Sequence, residues 1–137
     1  MPWILFALAG AAFAGLVTIF AKVGLQDVDT TFATTLRAII MAAFLIIVAV
    51  SVGKFDLGNL PPNKALLFIA LSGIAGALLW LCMFAALKLG PAPSVSAIDR
   101  TSVLFVLVFS ILFLGTQFTW KALLGALLIA LGAILLI

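Results

Sequence analysis

The sequence predicts an all-α membrane protein of five transmembrane helices, and three observations carry that prediction. Apolar residues make up 67% of the 137 residues and charged ones only 8%, and the mean hydropathy is +1.49. A water-soluble domain of this length has too little interior to hide so much apolar surface, so the surrounding medium must be lipid. Five apolar segments follow one another with short connectors between them. Each is near the roughly 20 residues needed to cross a hydrocarbon core of about 30 Å. Their periods are helical, and the ten-residue alternating segments of a membrane barrel are absent.

The first span is Trp3–Ala21. Ala12-Phe13-Ala14 has the look of a signal-peptide cleavage site, but no basic region precedes it and the apolar run continues to Ala21, so an uncleaved helix is expected. KVGLQDVDT (22–30) connects it to the second span, Thr31–Val52. GKFDLGNLPPN (53–63) is the longest connector, and Pro61-Pro62 stops any helix there. The third span, Ala65–Leu87, ends in the hinge KLGPAP (88–93). Gly90 suits a helix end, and Pro93 suits the start of the fourth span, Ser94–Leu114, where a missing N–H costs least. TQFTW (116–120) turns the chain into the fifth span, Lys121–Ile137. Trp3 and Trp120 fall at the expected membrane–water boundary, where indole rings prefer to sit. The chain reads as a single five-helix domain over 1–137, with no soluble domain.

Composition also excludes function classes. There is no His, Glu or Tyr, and Cys82 is alone inside the third span. Neither a disulfide nor a structural zinc site is credible, and no metal or other cofactor is expected. Acid–base or nucleophilic catalysis needs paired groups that this chain lacks, so an enzyme is not expected. No phosphate-binding glycine loop appears. A net charge of +3, scattered along the chain, makes no nucleic-acid stripe.

The charges do not fix an orientation. The side holding the N-terminus carries Lys54, Lys64 and Lys121; the other carries Lys22 and Lys88, with Arg37 and Arg100 nearer to it. Three basic residues against two, or against four, is no clear positive-inside bias. The alternatives are one weakly determined orientation, or dual topology with two copies paired antiparallel.

Three ionic groups lie within the spans. Arg37 is six residues into the second and Asp99 five residues into the fourth. Both spans start on the same side, which places both groups roughly 8–9 Å below that surface. A charge facing lipid costs a few kcal/mol, so such groups face a cavity or one another. Ser96, Asp99, Val103, Val106 and Ser110 share one helical face, while Arg100 points about 100° away from Asp99. Arg37 is therefore the expected partner of Asp99. The alternative is that both arginines snorkel to the headgroups and that Asp99 is a structural link. Trp80 is too deep for an interfacial belt and is read either as the wall of a ligand pocket or as packing. Ser72 and Gly76 form a small-residue pair that permits close helix approach, and Gly125 and Gly132 do the same on the fifth span, as packing or a dimer contact. Asp99, Arg37, Arg100, Trp80 and Ser96 are the expected substrate- or proton-binding residues.

WLCMFAALKLGPAPSVSAIDRTSVLFVLVFSILFLG (80–115), then FTW and LLGALLIALGAILL, resembles the EamA-type branch of the drug/metabolite transporter superfamily. FAKVGLQDVDTTFATTLRAII (20–40) is similar to the first-loop region of its short, five-helix members. The likeness covers essentially the whole chain; ALKLGPA, AIDR and the closing LxGxxLIxxG are its specific pieces. The resemblance implies one inverted-repeat unit of a ten-helix transporter fold, completed by a second, inverted copy. It implies an exporter of small metabolites or amphipathic compounds in the inner (cytoplasmic) membrane, with the lipid bilayer, a small-molecule substrate and an antiparallel homodimer as partners. A non-transporting scaffold or accessory subunit is the alternative. Two departures stand out. Thr116 replaces the acid that often follows FLG, and Met83 and Ala85 replace an aromatic and a basic residue. The related small multidrug-resistance branch carries a Glu in its first helix; this first span has no acid, which disfavours a quaternary-ammonium exporter.

Overall fold

The computed structural model describes residues 2–56, 58 and 60–137. Leu57 and Asn59 of the second connector lie outside the described residues. The described chain is helical with intervening turns, and the five expected spans are present. Four of them are long and apolar enough to cross a membrane.

α1 (Pro2–Gly24) opens on a proline, tolerated because a first-turn N–H has no helical acceptor. α2 (Thr30–Ser51) starts where Asp29 caps it. The Asp29 carboxylate accepts the N–H groups of Thr31 and Phe32, both at 2.9 Å. Two of the four orphan donors of a helix start are thus satisfied by one side chain. Two residues past its end stands Gly53, whose φ of +68° is a left-handed conformation natural to glycine. α3 (Asn63–Leu89) begins directly after Pro61-Pro62 and runs 27 residues, about 40 Å, longer than the hydrocarbon core.

The fourth span is not one continuous α-helix. It consists of α4 (Ala92–Asp99) and α5 (Ser102–Leu114) with Arg100 and Thr101 between them. The N–H of Thr101 donates to the Ile98 carbonyl (2.9 Å) and that of Leu104 to the Thr101 carbonyl (2.9 Å). Three-residue spacing is the tighter 3₁₀ pattern. The Thr101 hydroxyl also donates to the Ile98 carbonyl at 2.7 Å and holds the tightened turn. α6 (Trp120–Ile134) has 15 residues, shorter than the expected Lys121–Ile137, because residues 135–137 finish the rod in a turn. Leu136 and Ile137 donate to carbonyls three residues back.

The chain forms two compact units, residues 21–88 and residues 1–20 with 89–137. In the first, burial is concentrated at one end. Leu25, Phe84 and Leu87 are buried there, with Thr34 beside them. Lys22 Nζ donates to the Leu87 carbonyl (2.5 Å) and Lys88 Nζ to the Val28 carbonyl (2.7 Å). Each lysine stands in the last turn of its own helix, where a cation also meets the negative end of the helix dipole. The buried hydroxyl of Thr34 donates to the Thr30 carbonyl at 2.7 Å, so it carries no unmet donor into the apolar interior. Beyond Arg37, α2 is exposed along nearly its whole length.

In the second unit, α6 runs antiparallel to α4 and α5. The Ser94 hydroxyl donates to the Leu136 carbonyl (2.5 Å), joining the start of α4 to the end of α6. Ala92, Ala126 and Ala133 are buried; a methyl group is small enough to let backbones approach in a medium that offers no hydrophobic drive. On α5, Phe105, Phe109 and Phe113 form an exposed ladder with ring centroids 6.5 and 6.1 Å apart.

Candidate functional site

Arg37 stands two turns into α2. Its Cζ lies 3.6 Å from the centroid of the Trp80 ring on α3. That separation puts the guanidinium carbon in van der Waals contact with the face of the ring. Trp80 is itself set edge-on to Phe84, with centroids 5.9 Å apart and planes at 87°. Phe84 is buried, so the indole has a firm backing. Trp80 is nine residues before the end of α3, about 14 Å along the axis. The guanidinium is thus held over an aromatic face within the span, and half-buried. Among the described residues of its own unit, no hydrogen bond or ion pair engages its nitrogens.

The sequence-derived expectation made Asp99 the partner of Arg37. The two belong to different compact units, and within its own unit Arg37 lies on Trp80. Depth and helical face are readable from spacing, but side-chain torsions are not. The available signal was the pair of positions itself: a cation and an aromatic ring near the matching ends of α2 and α3.

Asp99 is the last residue of α4, half-buried, at the edge of the 3₁₀ turn. Ser96, one turn earlier, is also half-buried, while Arg100 is exposed. Of the expected face, Ser96, Asp99, Val103 and Ser110 are half-buried, while Val106 is exposed and Leu107 is the less exposed residue there.

The small residues fall into two groups. Gly76 is half-buried, on the same face as Trp80 one turn on, while Ser72 is exposed. Gly125 and Gly132 are exposed, and among the described residues, leaving aside chain neighbours and the helix's own backbone, no atom lies within 4 Å of a Cβ added at either or at Gly76. The inward face of α6 is instead Ala126, Ala130 and Ala133.

A feature that spacing did not reveal is a cavity of about 250 Å³ lined by Lys22, Val23, Leu25, Gln26, Leu87 and Lys88. In the sequence both lysines stood out only as topology signals. Among the described residues no group of His, Cys, Asp or Glu is arranged to hold a metal ion.

Apolar rods carrying ionic groups inside the spans define a multi-pass membrane protein, and comparison with known proteins makes it a membrane transporter. The chain belongs to the EamA-like transporter family, which it matches over residues 1–137. Its five spans are the half-unit of that fold. A protein of Sinorhizobium sp described as "Uncharacterized transporter in cobO 3'region" is 39% identical over 134 residues, which cover 98% of this chain and 95% of that protein. No solved structure matches the chain.

Proposed function

We propose that the protein is a carrier of small metabolites or amphipathic compounds in the cytoplasmic membrane, without enzymatic activity. It works as an exporter by alternating access, and an inverted second copy completes the ten-helix fold. One observation supports the reading above the others: a guanidinium held over an indole within a span. A purely structural arginine at this depth minimises its cost by reaching the headgroups or an acid; within its own unit this one rests on an aromatic face.

Asp99 carries the proton or a polar group of the cargo, at the turn that interrupts the fourth span. Arg37 and Arg100 supply counter-charge, Trp80 is an aromatic wall, and Ser96 is a polar lining residue. Discontinuous helices at polar positions are the general device by which carriers expose backbone groups to cargo. Gly125 and Gly132, open on the outward face of α6, are the contact for the second copy.

The test is transport by the purified protein in liposomes across a substrate panel, with and without a pH gradient. Asp99→Asn is expected to abolish the response to the gradient. Unchanged proton coupling in that variant would remove Asp99 from the mechanism, and absence of any flux in the parental protein would remove the carrier reading.

A further inference from the structure

The geometry points to the Arg37–Trp80 pair as a recognition site for the carboxylate of an amphipathic organic acid. This deepens the carrier reading and rests on it in taking the bound acid as cargo.

The guanidinium carbon lies over the indole at 3.6 Å, and a planar guanidinium stacked on a ring turns its five N–H donors outward around the rim. Stacking satisfies the charge in part but leaves every donor unused. Within its own compact unit no acceptor takes them, among the described residues. In the headgroup layer water would serve; further into the span, missing acceptors are costly. The arrangement therefore calls for an acceptor with two oxygens in one plane, which is a carboxylate in the bidentate, fork-to-fork mode.

The surroundings set the rest of the ligand. Trp80 is clamped edge-on by Phe84, so the cation is presented on a rigid face. Met83, half-buried and three residues after Trp80 on α3, adds a polarizable, adaptable side chain. A single planar cation bounded by aromatic and thioether groups fits an acid with an apolar body. It repels an amine, and it gives a neutral amide only one good acceptor oxygen.

The experiment uses the full chain in nanodiscs with Trp3→Phe and Trp120→Phe, which leaves Trp80 as the only indole. Trp80 emission is titrated with benzoate, benzamide and benzylamine, three probes of one shape and different charge. Benzoate is expected to give a saturable change, with benzamide and benzylamine weaker by about tenfold or more. Arg37→Gln is expected to weaken benzoate about tenfold or more, and Arg37→Lys, which keeps charge but loses the fork, several-fold. Equal responses to benzoate and benzamide overturn the assignment without any substitution at the site. So does benzoate binding that is unchanged in both Arg37 variants. Uptake measurements separate this from the carrier reading. Benzoate binding at Trp80 with no uptake of any compound keeps the site and removes transport. Uptake of amines with no benzoate binding keeps transport and removes the site.

Discussion

At the scale of single residues, chemistry decides where each charged group is tolerated. From sequence Arg37 was legible as a cation that either faces inward or snorkels to the headgroups, because its cost against lipid is several times thermal energy. Its contact with Trp80 was not legible, because it depends on side-chain torsions that no spacing encodes. A desolvated cation–π contact contributes about 2 kcal/mol. Trp80→Ala is expected to lower unfolding stability in detergent by about that much, with Trp80→Phe losing less, as read by thermal denaturation. Asp29 was read only as part of a connector, yet its carboxylate takes two N–H groups at the start of α2. Asp29→Ala should cost about 1 kcal/mol and Asp29→Asn little, since an amide oxygen still accepts.

At the scale of elements, the spans were readable to within three residues at each end, because apolar length outweighs other signals for a chain in lipid. The interruption of the fourth was not, although the local residues carried the signal. In SAIDRT, short polar side chains offer the backbone alternatives to α-helical bonding, and Thr101 takes one by donating to the Ile98 carbonyl. Hydropathy averages over such turns and cannot see them. The two faces of α6 were also only half legible: small residues mark both, but burial separates Ala126 and Ala133 from Gly125 and Gly132. Ala126→Leu is expected to destabilise the protomer by about 1–3 kcal/mol through overpacking. Gly125→Leu should leave protomer stability nearly unchanged and reduce the dimer fraction in cross-linking, if that face meets a second copy. The end of α5 is set by Gly115, at φ +61°, where a Cβ is disfavoured. Gly115→Ala is expected to cost about 1–2 kcal/mol, measured by the same denaturation.

At the scale of the whole molecule, the open question of orientation follows from arithmetic on a few lysines, three on one side against two or four on the other. Asn63→Lys and Gln117→Lys together raise the first number from three to five. They are expected to bias insertion to one orientation, seen by tags on both termini, and to lower transport if the inverted pair is the working form. The lysine clasps of the 21–88 unit bear on how such a chain is made. Lys88 reaches back to the carbonyl of Val28, and Lys22 forward to that of Leu87. The first hairpin therefore leaves the ribosome without its fastener, which is synthesised some sixty residues later. If both orientations are used, a slow stretch of translation before Lys88 is expected to lengthen the time in which the choice between them can still be made.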